Sequence, residues 1–208
     1  MTASPLARVV AVLLVLAAAT ACGTRRPITD QPTTDLDRKL STFAWIEEGN
    51  LVTLIVGTRA ARYRDESNYM PLELAIANRG LKQLTLTRES FTLIDEQGNR
   101  YPAASPEELI GGYEFLDLDT QRLAELDEII FNRFAAFTRY PSKFSPTRTP
   151  VPGRSNIVRD LVSLPKFGYL VDYVYFPRPA TGIKDHRFEL FVDAPELVDP
   201  VFVKFEVR

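Results

Sequence analysis

Apolar and polar residues alternate along this chain on two different periods, and where each period holds decides the expected architecture. From Leu51 the run LVTLIVG is continuously apolar and has the length of one strand. MPLELAIAN alternates, with Met70, Leu72, Leu74 and Ile76 on one face and Glu73, Ala75 and Ala77 on the other. Asn78-Arg79-Gly80 reads as a turn, so LKQLTL is expected to follow as the partner strand. In SFTLIDEQGNRYPA, Phe91 and Leu93 share a face ahead of the glycine-containing loop Asp95 to Asn99, the pattern of a hairpin. LVDYVYF, RFELFVD and VFVKFEV continue as strands; in the last, Val201, Val203, Phe205 and Val207 oppose Phe202, Lys204 and Glu206.

Between the early and late strands the period lengthens. From Asp119 to Thr138, Leu123, Leu126, Ile130, Phe134 and Phe137 recur at three and four residues, with Glu125, Glu128, Asn132 and Arg139 opposite. This predicts one amphipathic helix near 117–140, capped by Asp117 or Asp119 and ended by Pro141. PSKFSPTRTPVPGRSN then forms a long proline-rich loop. Short strands separated by turns, with no GxGxxG and no βαβ rhythm, predict a mainly-β chain built as an antiparallel β-sandwich with the helix and loop inserted. MPLELAIANRG, SFTLIDEQGNRY, VYFPRP and the closing strand resemble the immunoglobulin-like domains of bacterial envelope lipoproteins of unknown function. The resemblance covers about 150 residues at the level of pattern and implies an immunoglobulin-like sandwich. The Cys–Trp–Cys core of antibody-type domains is absent.

The N-terminus follows a third pattern. Residues 1–21, MTASPLARVVAVLLVLAAATA, run from a positive residue (Arg8) through an apolar core to small residues, the order of a secretory signal peptide. The apolar core is shorter than the roughly 20 residues of a membrane-spanning helix. Ala19-Thr20-Ala21-Cys22 then resembles the lipobox of bacterial lipoproteins, although the first position is alanine where leucine is usual. The resemblance implies that the Cys22 thiol takes a diacylglycerol and that cleavage leaves Cys22 as the first residue. The alternative is ordinary secretion with cleavage after Ala21. Gly23 in place of aspartate implies the periplasmic face of the outer membrane if the organism is diderm. Residues 22–39 read as a polar tether and 40–208 as the domain.

Composition narrows the chemistry. The single cysteine excludes an internal disulfide, and the single histidine, His186, excludes a His/Cys zinc constellation. No GxSxG elbow is present, and Asp185 beside His186 points to the opposite face of a strand, so triad chemistry is disfavoured. Asp117, Asp119, Glu125, Asp127 and Glu128 cluster, but helix starts favour acids without catalysis. The DEQGN loop lacks the acid spacing of a calcium loop and reads as a turn. No metal or cofactor is expected.

The segment from Arg139 to Arg159 has the most suggestive chemistry. Arg139, Lys143, Arg148 and Arg154 surround Phe144, a set suited to docking an envelope protein or an anionic glycan or lipid. A net charge of −2 gives no general attraction to nucleic acid, and the envelope compartment excludes it as a partner. The expected function is a non-enzymatic binding or assembly module held to the cell envelope by lipid. An envelope hydrolase or small-ligand carrier, with its site between helix and sandwich, is the alternative.

Overall fold

A computed structural model describes residues 39–122, 125–141, 144–147, 158 and 161–208. Among them lie the strands β1 (Ala44–Glu48), β2 (Val52–Gly57), β3 (Tyr69–Asn78), β4 (Gln83–Thr87), β5 (Phe91–Asp95) and β6 (Arg100–Pro102). They continue with β7 (Thr138–Arg139), β8 (Leu161–Pro165), β9 (Gly168–Pro177), β10 (Arg187–Val192) and β11 (Val201–Glu206). The helices are α1 (Arg59–Arg62), α2 (Pro106–Gly112), α3 (Leu116–Arg122) and α4 (Leu126–Ile130). The chain is mainly β. Its sheets run β1-β2-β3-β9-β7, β11-β10-β5-β6 and β4-β8, antiparallel except where β7 joins β9.

One core joins all three sheets. Val52, Leu54 and Val56 of β2 pack with Leu72, Leu74 and Ile76 of β3, Leu190 of β10, Phe205 of β11 and Leu84 of β4. Each such side chain gains roughly 1.5–3 kcal/mol on burial. The alternation read along β3 and β11 is present, and so is the β5–β6 hairpin. Its loop is tied by Asp95, whose Oδ1 accepts from the N–H groups of Gln97 and Asn99 and whose Oδ2 accepts from Tyr101. Gly98 supplies the left-handed turn position at φ +81°.

Three expectations are corrected. β4 does not return along β3; it pairs with β8, and β3 lies between β2 and β9. Asn78 redirects the chain. Its buried Nδ2 donates to Leu81 O at 3.0 Å and Leu164 O at 2.9 Å, while its Oδ1 accepts from Leu81 N–H, so the turn is bound to β8. Second, the expected single helix is divided into α3 and α4, followed by turns and the short β7. At the start of α4 the Glu73 carboxyl on β3 takes the N–H groups of Glu125 and Leu126, donors that a new helix start leaves open. Third, Pro141 lies beyond β7 and stops no helix, and Asp119 sits inside α3, facing inward.

The other face of the five-stranded sheet is also covered. Leu126, Ile130 and Phe134 pack on Ile46, Ile55, Ala75 and Ala77. That second layer is why β2 is buried on both faces, with Thr53 as its one polar side chain, instead of alternating with charged residues. Replacing Asn78 with alanine removes three hydrogen bonds at a buried turn; we expect a loss of about 2–4 kcal/mol in urea unfolding, with little change in the slope.

Candidate functional site

The helix-covered face of the sheet holds the polar groups. Glu73 is the charged residue of β3, and the register sets Tyr173 opposite it on β9 and Gly57 opposite it on β2. Gly57 eases the approach of α4: a Cβ there would stand tightly, 3.2 Å from Glu125 Oε1 and 3.3 Å from Leu126 Cδ2. The room left by that missing side chain lets the N-terminus of α4 reach Glu73, which accepts at 2.7 Å from Glu125 N–H and 3.1 Å from Leu126 N–H. Burial pushes the Glu73 carboxyl up to about 7, against those two donors and with the charges of Glu125 and Asp127 adding to the rise. Burial, and then the nearby carboxylates of Glu73, Asp119 and Glu125, hold the Tyr173 phenol well above its usual range. Among the described residues, the Tyr173 hydroxyl has no hydrogen-bond partner.

A second cluster lies under α2 and α3. Arg64 Nη2 meets Asp119 Oδ1 at 2.7 Å, and the Tyr113 hydroxyl donates to Asp119 Oδ2. The Arg64 guanidinium also lies 4.1 Å from the centre of the Phe115 ring and donates to Tyr63 O. Tyr113 is wedged among Tyr69, Phe115 and Tyr175, with ring centres 5.2–5.9 Å away. Burial lifts the Asp119 carboxyl above the usual range, although Tyr113 and Arg64 both pull it down. Breaking one partner of such a buried pair leaves an uncompensated charge, so loss of either Arg64 or Asp119 is destabilising.

Arg64 and Tyr113 line an open cleft of about 820 Å³ between residues 62–68 and 111–115. Gly111 meets nothing within 4 Å of where a Cβ would sit, and Tyr63 is exposed at the edge. The cleft thus offers an aromatic ring, Arg62 and the carboxylates of Glu66 and Glu114 around Arg64 and Tyr113. Such a surface can bind a ligand by stacking and hydrogen bonding.

The residues singled out from sequence are dispersed. Phe144 is not at the surface: it is buried in the main core, edge-on to Phe91 at 5.3 Å, and Asp172 accepts from its N–H. Arg139 is exposed and pairs with Asp127 at 2.9 Å. Cys22, Lys143, Arg148 and Arg154 lie outside the described residues. His186 faces Glu96, with 2.7 Å between Nδ1 and Oε1, not Asp185. Of the acidic cluster, Asp119 is buried against Arg64 and Asp127 is taken by Arg139, which separates them. Sequence reading missed Glu73 at the start of α4 and the pairing of Arg64 and Tyr113 with Asp119. One signal was present: a glutamate within a strand otherwise apolar on both faces.

No protein-family model matches the sequence, and comparison with curated proteins gives no match. Among solved structures, a Bacillus subtilis protein provisionally assigned as a lipoprotein is similar in part. It shares 12% sequence identity and a TM-score of 0.40, over 77% of this chain and 38% of that one. The matched region therefore spans well under half the length of that protein.

Glu73 makes stability depend on pH. Its folded value near 7 stands above the ordinary 4.5, so its stabilising contribution is complete below pH 4.5 and is lost as pH rises through 7. Glu73→Gln keeps an oxygen for both N–H groups and removes the charge. We expect the variant to be more stable than the parent at pH 8, by on the order of 3 kcal/mol, and nearly equal to it at pH 4.5. Urea unfolding at the two pH values measures the difference.

Proposed function

We propose that this chain is a lipid-anchored cell-envelope protein acting as a non-enzymatic binding or assembly module. The observation that carries the reading is Cys22, placed directly behind the small residues that close an apolar leader. Acyl chains on that cysteine hold the following domain at a membrane surface, and more than one chain is needed for stable anchoring. Gly23 favours the periplasmic face of an outer membrane in a diderm organism. Two sheets sharing one core support a sandwich of immunoglobulin-like kind as the scaffold. The use of the buried acids supports binding over catalysis: Glu73 caps α4, Asp95 ties a turn and Asp119 neutralises Arg64. In this reading, Lys143, Arg148 and Arg154, together with Arg139, form a basic contact for an envelope partner.

The open cleft beside Arg64 favours a second reading, a small-ligand carrier with its site against the helical layer. Anchoring is tested by Cys22→Ser in cells fed a labelled fatty acid. The parent chain is expected to take up label and sediment with membranes. The variant is expected to lose the label; a variant that remains labelled removes the basis for a lipid at Cys22.

A further inference from the structure

One end of the five-stranded sheet has a surface that core packing does not explain. Three tips meet there, joined by direct contacts: the β1–β2 hairpin, the β3–β4 turn, and the Lys166–Phe167 turn between β8 and β9. The N–H groups of Arg79 and Gly80 donate to Leu51 O, and Phe167 N–H donates to Asn78 O at 2.7 Å. The turn after α4 joins them, because Arg133 bonds Glu48 at 2.6 Å and Phe137 meets Phe167 edge-on at 5.6 Å.

This end exposes large apolar side chains. Phe131 is 76% exposed, Phe167 51% and Leu51 46%. Phe167 also occupies the left-handed region at φ +62°. A bulky side chain is disfavoured there, and glycine or asparagine would be easier. The Phe167 ring packs edge-on against Phe137 and still leaves half of its surface in water. Its presence asks for a surface outside the molecule that takes the ring.

The charge around these rings identifies that surface. Arg79, Lys82, Arg133 and Lys166 stand at the same end, and two of them share the Glu48 carboxylate. Lys82 precedes Gln83, which is in register with Pro165, so Lys82 and Lys166 flank one rung of the β4–β8 pair. The Lys166 ammonium lies 5.1 Å from the Phe167 ring centre. Exposed rings at turns, with Lys166 over one of them and further basic side chains at the same end, suit the interface of an anionic bilayer: rings enter the headgroup boundary and cations meet phosphates.

We propose that this end of the sheet, with Phe131 and Phe167 as its inserting side chains, docks on an anionic lipid bilayer. The proposal deepens the anchored reading and rests on it for proximity. Lys39 follows Cys22 by 17 positions, and a chain of that length spans at most about 60 Å. β1 leads from Lys39 toward the docking end and is only about 17 Å long, so the anchor and this end can reach the same membrane.

The test uses the chain from residue 22 onward carrying Cys22→Ser, so that no acyl chain contributes, and vesicles of phosphatidylcholine with or without phosphatidylglycerol. The expected result is co-sedimentation with the anionic vesicles, weakened by salt. Phe131→Ser combined with Phe167→Asn should weaken it by about tenfold or more. Asparagine accepts the left-handed backbone, so Tm should be kept or raised. Lys82→Glu with Lys166→Glu, both surface changes, should weaken binding as well. No vesicle binding by the parent overturns the proposal, and so does equal binding by the aromatic variant. Concentration-dependent self-association that the aromatic variant abolishes, without vesicle binding, assigns the face to a second copy and also overturns it. Because the probe lacks the anchor, loss of fatty-acid labelling at Cys22 and loss of vesicle binding are separate failures.

Discussion

A sheet that is apolar on both faces must be covered twice, and in this protein the second cover depends on one buried carboxylate. The first face is closed by β5, β10 and β11 through a core of ordinary apolar packing. The second is closed by short helices that are too small to hold their own structure. Glu73 supplies what α4 lacks, one carboxyl oxygen that accepts from both of its first N–H groups, delivered from the sheet that the helix covers. Gly57 supplies the clearance. The cost is a carboxyl held out of water, visible in its raised pKa.

The rest of the helical layer follows the same logic of polar groups fixed by burial. Asp119 faces inward from α3 because Arg64 and Tyr113 await it, and Phe115 lies against the guanidinium. These contacts set the floor of the cleft. The far end of the sheet is different in kind. There Phe131 and half of Phe167 stay in water although Phe167 packs on Phe137, and Phe167 sits in a backbone conformation that its side chain does nothing to favour. A protein with one polar cleft and one end that exposes aromatic rings beside cations has two surfaces to offer.

The strands were legible where local periodicity was decisive. β3, β11 and the β5–β6 hairpin stand where alternation and the Asp95–Asn99 turn put them. β1 and β8 were missed: AWIEE carries two adjacent glutamates at its end, and LVSLP follows the long proline-rich stretch with no turn signal of its own. α2 was missed although Ser105-Pro106-Glu107-Glu108 carries a capping box with proline at its first turn. The pairing of β4 with β8 was invisible, because it depends on Asn78 reaching a strand 86 residues away. The helix was drawn too long for a similar reason: periodicity reports which side chains face inward and not where a helix starts anew against a distant glutamate. Phe144 shows the limit for site residues. A phenylalanine among arginines reads as a binding aromatic until the fold places it in the core.

The most direct test of the account is the chemical state of the mature N-terminus. Mass spectrometry of the terminal peptide from protein purified out of membranes is expected to find Cys22 as the first residue, carrying a thioether-linked diacylglycerol. A terminal peptide that starts elsewhere, or that starts at Cys22 with a free thiol, would contradict the anchored reading.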